Sequence, residues 1–104
     1  MKMQVKPGSR WRSAVDTTEV VVVRPPKGEV SLECGGHPMV ALGSDAPEGL
    51  TISPDFSAGT SVGKRYVDAE SGIELLGSKA GTGSLAIDGR PVELKDAKPL
   101  PASD

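Results

Sequence analysis

The chain has 104 residues and a formal net charge of −2, a length that suits one compact domain. Its single cysteine excludes an internal disulfide framework and agrees with a reducing compartment. Residues 1–30 carry six Lys or Arg against three Asp or Glu, and residues 31–104 carry six against eleven. That mild dipole lacks the dense basic face with interleaved aromatics expected of a nucleic-acid reader.

One Trp, one Tyr and one Phe leave the core to Val, Leu, Ile and Ala. Thirteen glycines and nine prolines, set beside runs such as EVVVV, favour short strands joined by tight turns over long helices. The expected class is a small, irregular all-β protein. No run of 18 apolar residues offers a membrane span and MKMQVKPGSRWR lacks a signal h-region, so a cytoplasmic protein is expected, with neither membrane nor nucleic acid as partner.

In chain order, a short strand headed by Trp11 leads into a turn at 14–17, and an apolar strand follows at 20–23. The loop RPPKG comes next, and then VSLECGGHPMVAL supplies a strand, a glycine turn and a final strand, ending the unit at Leu42. Residues 43–62 are rich in Gly, Pro, Ser, Thr and Asp and read as a linker, pinned to the body by Ile52 and Phe56. From Gly63 the same parts return, with Tyr66 heading a strand, an apolar strand at 73–76, the loop SKAGTG, and SLAIDGRPVEL closing at Leu94. IDGRPV carries an Asp-Gly hairpin signal.

Laid over one another, the units match Gly8, Arg10 and Trp11 with Gly63, Arg65 and Tyr66; Glu19 with Glu74; and Leu32, Gly36 and Pro38 with Leu85, Gly89 and Pro91. Units of 8–42 and 63–94 are each too small to bury a sufficient core, so a duplication implies pseudo-twofold packing about a shared core. That core is expected from Val20 to Val23, Val30, Leu32, Val40 and Leu42, joined by Ile73, Leu75, Leu76, Leu85, Ile87, Val92 and Leu94. Arg10 and Arg65 are candidates to stack on Trp11 and Tyr66. The tail KDAKPLPASD lacks apolar periodicity and is expected to be mobile.

LECGGHPM resembles the second metal knuckle of the desulforedoxin and desulfoferrodoxin N-terminal family, where a strand ends in two adjacent cysteines, then glycine, two variable residues and methionine. Cys34 stands for the first of those cysteines, Gly35 for the second, Gly36 for the glycine and Met39 for the methionine. The family's first knuckle, an aromatic followed by Cys-x-x-Cys, is matched by WRSAVD, with Ser13 and Asp16 at the cysteine positions. In the second unit Asp68 and Ser71 take the first pair of positions, and Ile87 and Asp88 the second. The resemblance implies two small rubredoxin-like β units fused head to tail, in a family whose members hold one iron in four thiolates.

A tetrahedral thiolate site needs four soft anionic ligands, and only Cys34 is left here. The favoured reading is therefore a non-catalytic binding or accessory module without a cofactor. It would act on a protein partner or a small molecule, as a monomeric pseudo-dimer or a further homo-oligomer. The alternative is one altered zinc or iron site around Cys34, Asp16 and His37, serving electron transfer or small-molecule binding. A cysteine enzyme would need His37 to activate Cys34, with no third orienting residue in view. SKAGTGSL and PKGEVSL lack P-loop spacing and read as hairpin connections.

Overall fold

A computed structural model of the chain describes residues 2–95; the stretch after Lys95, where a mobile tail is expected, lies outside them. The protein is all-β, as its composition predicts. Its strands are β1 (Arg10–Arg12), β2 (Glu19–Arg24), β3 (Leu32–Cys34), β4 (His37–Pro38), β5 (Val40–Ala41), β6 (Arg65–Val67), β7 (Glu74–Lys79), β8 (Leu85–Ile87), β9 (Arg90–Pro91) and β10 (Glu93–Leu94). One 3₁₀ turn, Pro54–Phe56, lies between β5 and β6. Among the described residues no helix is long and apolar enough to cross a membrane.

Six strands form one antiparallel sheet in the order β10-β6-β7-β2-β1-β5, and four form a second in the order β4-β3-β8-β9. Each order reads the same from either edge once β1 to β5 are matched with β6 to β10. The central pairs join matching strands. Val21 faces Leu76 across β2 and β7, flanked by Glu19 opposite Lys79 and Arg24 opposite Glu74. In the smaller sheet Glu33 faces Ala86, flanked by Leu32 opposite Ile87 and Cys34 opposite Leu85.

Strand alternation explains which side chains meet between the sheets. Val20 and Val22 of β2 and Leu75 of β7 are buried, as are Leu32, Cys34, Leu85 and Ile87 of the smaller sheet. Ile73, Tyr66, Met39 and Val30 complete that core, together with Val5 from the segment before β1. The core expected from sequence is corrected at its edges. Val23, Leu42 and Leu94 are exposed, because period-two alternation or an edge position turns them outward. The stacking expected of Arg10 and Arg65 also fails, since successive strand residues point to opposite faces. Trp11 Nε1 instead donates to Ser9 Oγ, and Arg65 pairs with Glu74.

Two two-residue loops connect β3 to β4 and β8 to β9. Gly35 and Gly36 have φ of 66° and 89°, and Asp88 and Gly89 have 53° and 81°. Positive φ at both central positions is the type I′ hairpin geometry, which Asp-Gly and Gly-Gly accommodate. The linker is partly built into the body: Phe56 O accepts from Ser84 N, and buried Thr60 bridges Gly81.

Candidate functional site

The turn between β1 and β2 holds Ser13 and Asp16. Ser13 Oγ accepts from the backbone N–H groups of Val15 and Asp16 at 3.1 and 3.2 Å, while Ser13 N donates to Thr18 O. Asp16 in turn accepts at Oδ2 from Thr18 Oγ1 at 2.7 Å and at Oδ1 from Thr18 N at 3.4 Å. A further donor arrives from the other half of the chain, Gly83 N to Asp16 Oδ2 at 2.6 Å. Burial pushes the Asp16 carboxyl up, but the donors from Ser13, Gly83 and Thr18 together outweigh it and hold the group below its ordinary value.

Cys34, at the end of β3, is fully buried with its Sγ 3.9 Å from Asp16 Oδ1. Burial, reinforced by the neighbouring Asp16 charge, pushes the thiol up to about 11. It is therefore a protonated, enclosed thiol at neutral pH, the opposite of an activated nucleophile. Gly83 lies against it: a Cβ there would sit 2.9 Å from Cys34 Sγ and 3.1 Å from Asp16 Oδ2. Gly81, in the same loop, leaves no space either, since a Cβ would press on Asp16 Oδ2 and Thr18 Oγ1 and come within 2.7 Å of Thr18 N.

Of the sequence-predicted donors, Asp16 and Cys34 meet, whereas His37 is engaged elsewhere: its Nε2 lies 2.8 Å from Thr51 O. Among the described residues no three His, Cys, Asp or Glu side chains come together as a metal-holding group. Gly35, beside Cys34, has no room for a larger side chain. Its Cβ would lie 2.6 Å from Val15 Cγ2 and 3.0 Å from Ile52 Cγ1, at a φ that disfavours any L-residue.

The corresponding turn between β6 and β7 repeats the hydrogen bonding with other atoms. Asp68 Oδ2 accepts from Ser71 N at 3.1 Å, and Ser71 Oγ from Ile73 N at 3.4 Å. Asp68 N donates to Ile73 O as Ser13 N does to Thr18 O. Here the buried carboxylate meets a cation, Arg90, which donates through Nε and Nη2 to the two Asp68 oxygens at 3.3 and 2.7 Å. Glu70 and Asp88 also stand beside Arg90, at 3.0 and 3.9 Å. Burial raises the Asp68 carboxyl, but Arg90 and the Ser71 donors bring it below the ordinary range.

No family model, curated protein or solved structure matches the chain. The site therefore rests on its own geometry. Sequence reasoning missed two of its parts, Gly83 and Arg90, which approach from 67 and 22 residues away. The glycine-rich run containing Gly83 was the available signal, since closely spaced glycines mark places where backbone approaches other groups. The neighbouring carboxylates are met by cations: Asp68 and Glu70 share Arg90, and Glu74 binds Arg65 and Lys95.

Proposed function

We propose that the protein is a non-catalytic binding or accessory module, derived from a tandem desulforedoxin-like ancestor whose four-thiolate sites have been replaced by internal hydrogen bonds. The matched order of β1 to β5 and β6 to β10 supports duplication, as do Val21 facing Leu76 and Glu33 facing Ala86 at the centres of the two sheets. One observation carries the loss of the metal role. At Gly35, in the place of the family's second cysteine, a side chain would meet Val15 and Ile52, and Asp16 already accepts from Thr18 and Gly83.

Holding the turns closed is large work for a metal in small domains. In this reading Asp16 and the Asp68–Arg90 pair take it over, helped by the shared apolar core. The protein is read as a cytoplasmic monomer in which two units behave as a fused dimer, a setting supported by its one buried, unpaired thiol. Its function then lies in a surface rather than in the enclosed site.

Elemental analysis of the purified protein, with circular dichroism before and after chelation, tests this. The expected result is substoichiometric zinc and iron with β structure indifferent to chelator and to Cys34→Ser. Near one equivalent of either metal, lost with Cys34→Ser, would overturn it in favour of an altered metal site around Cys34 and Asp16.

A further inference from the structure

Among the described residues the larger sheet packs one face on the core and leaves the other uncovered. On that free face cross-strand neighbours point the same way. Arg10 faces Val21, Val21 faces Leu76, and Leu76 faces Arg65, so one row runs Arg–Val–Leu–Arg across four strands. Leu42 N donates to Arg10 O and Lys95 N to Arg65 O, which extends the row at both ends. Val21 and Leu76 are only partly buried, and Val23 and Leu42 beside them are 41% exposed each.

The charges around this apolar centre favour one sign. Arg10, Arg12, Arg65, Lys79 and Lys95 stand on the face against Glu19, Glu74 and Glu93. Glu74 is buried beneath Arg65 and Lys95, at 3.2 and 3.1 Å, so its charge is already compensated. Among the described residues no acidic side chain lies within ion-pair distance of Arg10 or Arg12. The remainder of the chain is acidic on balance. A second copy set face to face would oppose like charges.

From this row we infer that the free face of the six-stranded sheet docks an acidic protein segment, whose apolar residues meet Val21, Val23 and Leu76 while its carboxylates meet Arg10 and Arg12. The inference rests on the accessory-module reading and names the surface and partner chemistry for it. A nucleic-acid strand fits less well. Trp11 and Tyr66 point to the opposite face, so no ring is offered to a base, and Glu19 and Glu93 interrupt any phosphate track.

The test is an NMR titration of the full chain with a peptide of Glu-Leu-Glu-Glu-Leu repeats. Controls are the same peptide with Gln for Glu, and an oligothymidylate. Salt-sensitive shifts centred on β1, β2 and β7 are expected, with binding about tenfold weaker in Arg10→Glu. Arg10→Gln, which keeps the aliphatic stem, should weaken binding less and serves if the charge reversal lowers stability. No binding, shifts confined to a separate groove that Phe56, Tyr66 and Leu94 line, or equal binding of the Gln peptide would each overturn the inference. So would oligothymidylate binding in place of the acidic peptide, or concentration-dependent broadening of the free protein. Bound metal with peptide binding intact would instead sink the accessory-module reading and leave the docking face standing.

Discussion

The two turns that precede β2 and β7 share a backbone and differ in how they satisfy it. In the first, Asp16 is held by neutral donors beside a protonated thiol, with no cation in contact among the described residues. In the second, Asp68 occupies the place of Ser13 and is held by the Arg90 guanidinium, which is well exposed on its outer side. One backbone design therefore accepts two chemical closures. The difference teaches that what the turn requires is an acceptor for its inward N–H groups, which a hydroxyl supplies as well as a carboxylate.

The strongest way to break the first closure is to deny it its covering loop. Gly81→Ala places a methyl group against Asp16 and Thr18 and should cost about 3 kcal/mol or prevent folding, read by urea denaturation. Next is Asp16→Ala, which leaves Thr18 N, Thr18 Oγ1 and Gly83 N without their acceptor, at about 2–3 kcal/mol. Arg90→Met in the second closure should lower Tm by less, and its effect should shrink in high salt while that of Asp16→Ala does not. Equal salt sensitivity of the two variants would remove the distinction drawn between the turns.

Cys34 separates the two turns by pH. Its folded thiol is raised from 9.0 to about 11, so as pH rises the unfolded chain ionises first and the folded state loses relative stability between those values. The loss should approach about 2 kcal/mol, be absent in Cys34→Ser, and appear in denaturation curves at stepped alkaline pH. Asp16 and Asp68 act at the other end. Both are held below 3.8, so their contribution is present above that value and is lost as pH falls through the lower folded values. The smallest effect belongs to His37→Ala, which removes one contact to Thr51 O and should cost less than about 1 kcal/mol. A larger loss, or one that added zinc reverses, would return His37 to the site.

Much of the architecture was legible in the chain. The apolar run EVVVV, the IDG turn and the return of Gly-x-Arg-aromatic before each long strand correspond to β2, the β8–β9 connection, β1 and β6. Asp16 and Cys34 were set together only by the resemblance to two metal knuckles, and in the fold they lie 3.9 Å apart as hydrogen-bonding neighbours. His37 was misleading because its pairing with Cys34 across the hairpin sets the two on one face, yet its ring reaches Thr51 O instead, a partner from a distant loop. Leu42 and Leu94 read as core, yet lie at sheet edges, where they are exposed.

Local chemistry determined the strands and the turns, because alternation, β-branching and glycine act over neighbouring residues. Tertiary structure alone decided what closes each turn. Gly83 reaches Asp16 only because the loop between β7 and β8 lies over the turn between β1 and β2, and Arg90 reaches Asp68 only because the β8–β9 hairpin folds back on the turn between β6 and β7. Charge and hydrogen-bond capacity are properties of a sequence, but the partner that satisfies them is chosen by distance in the folded chain.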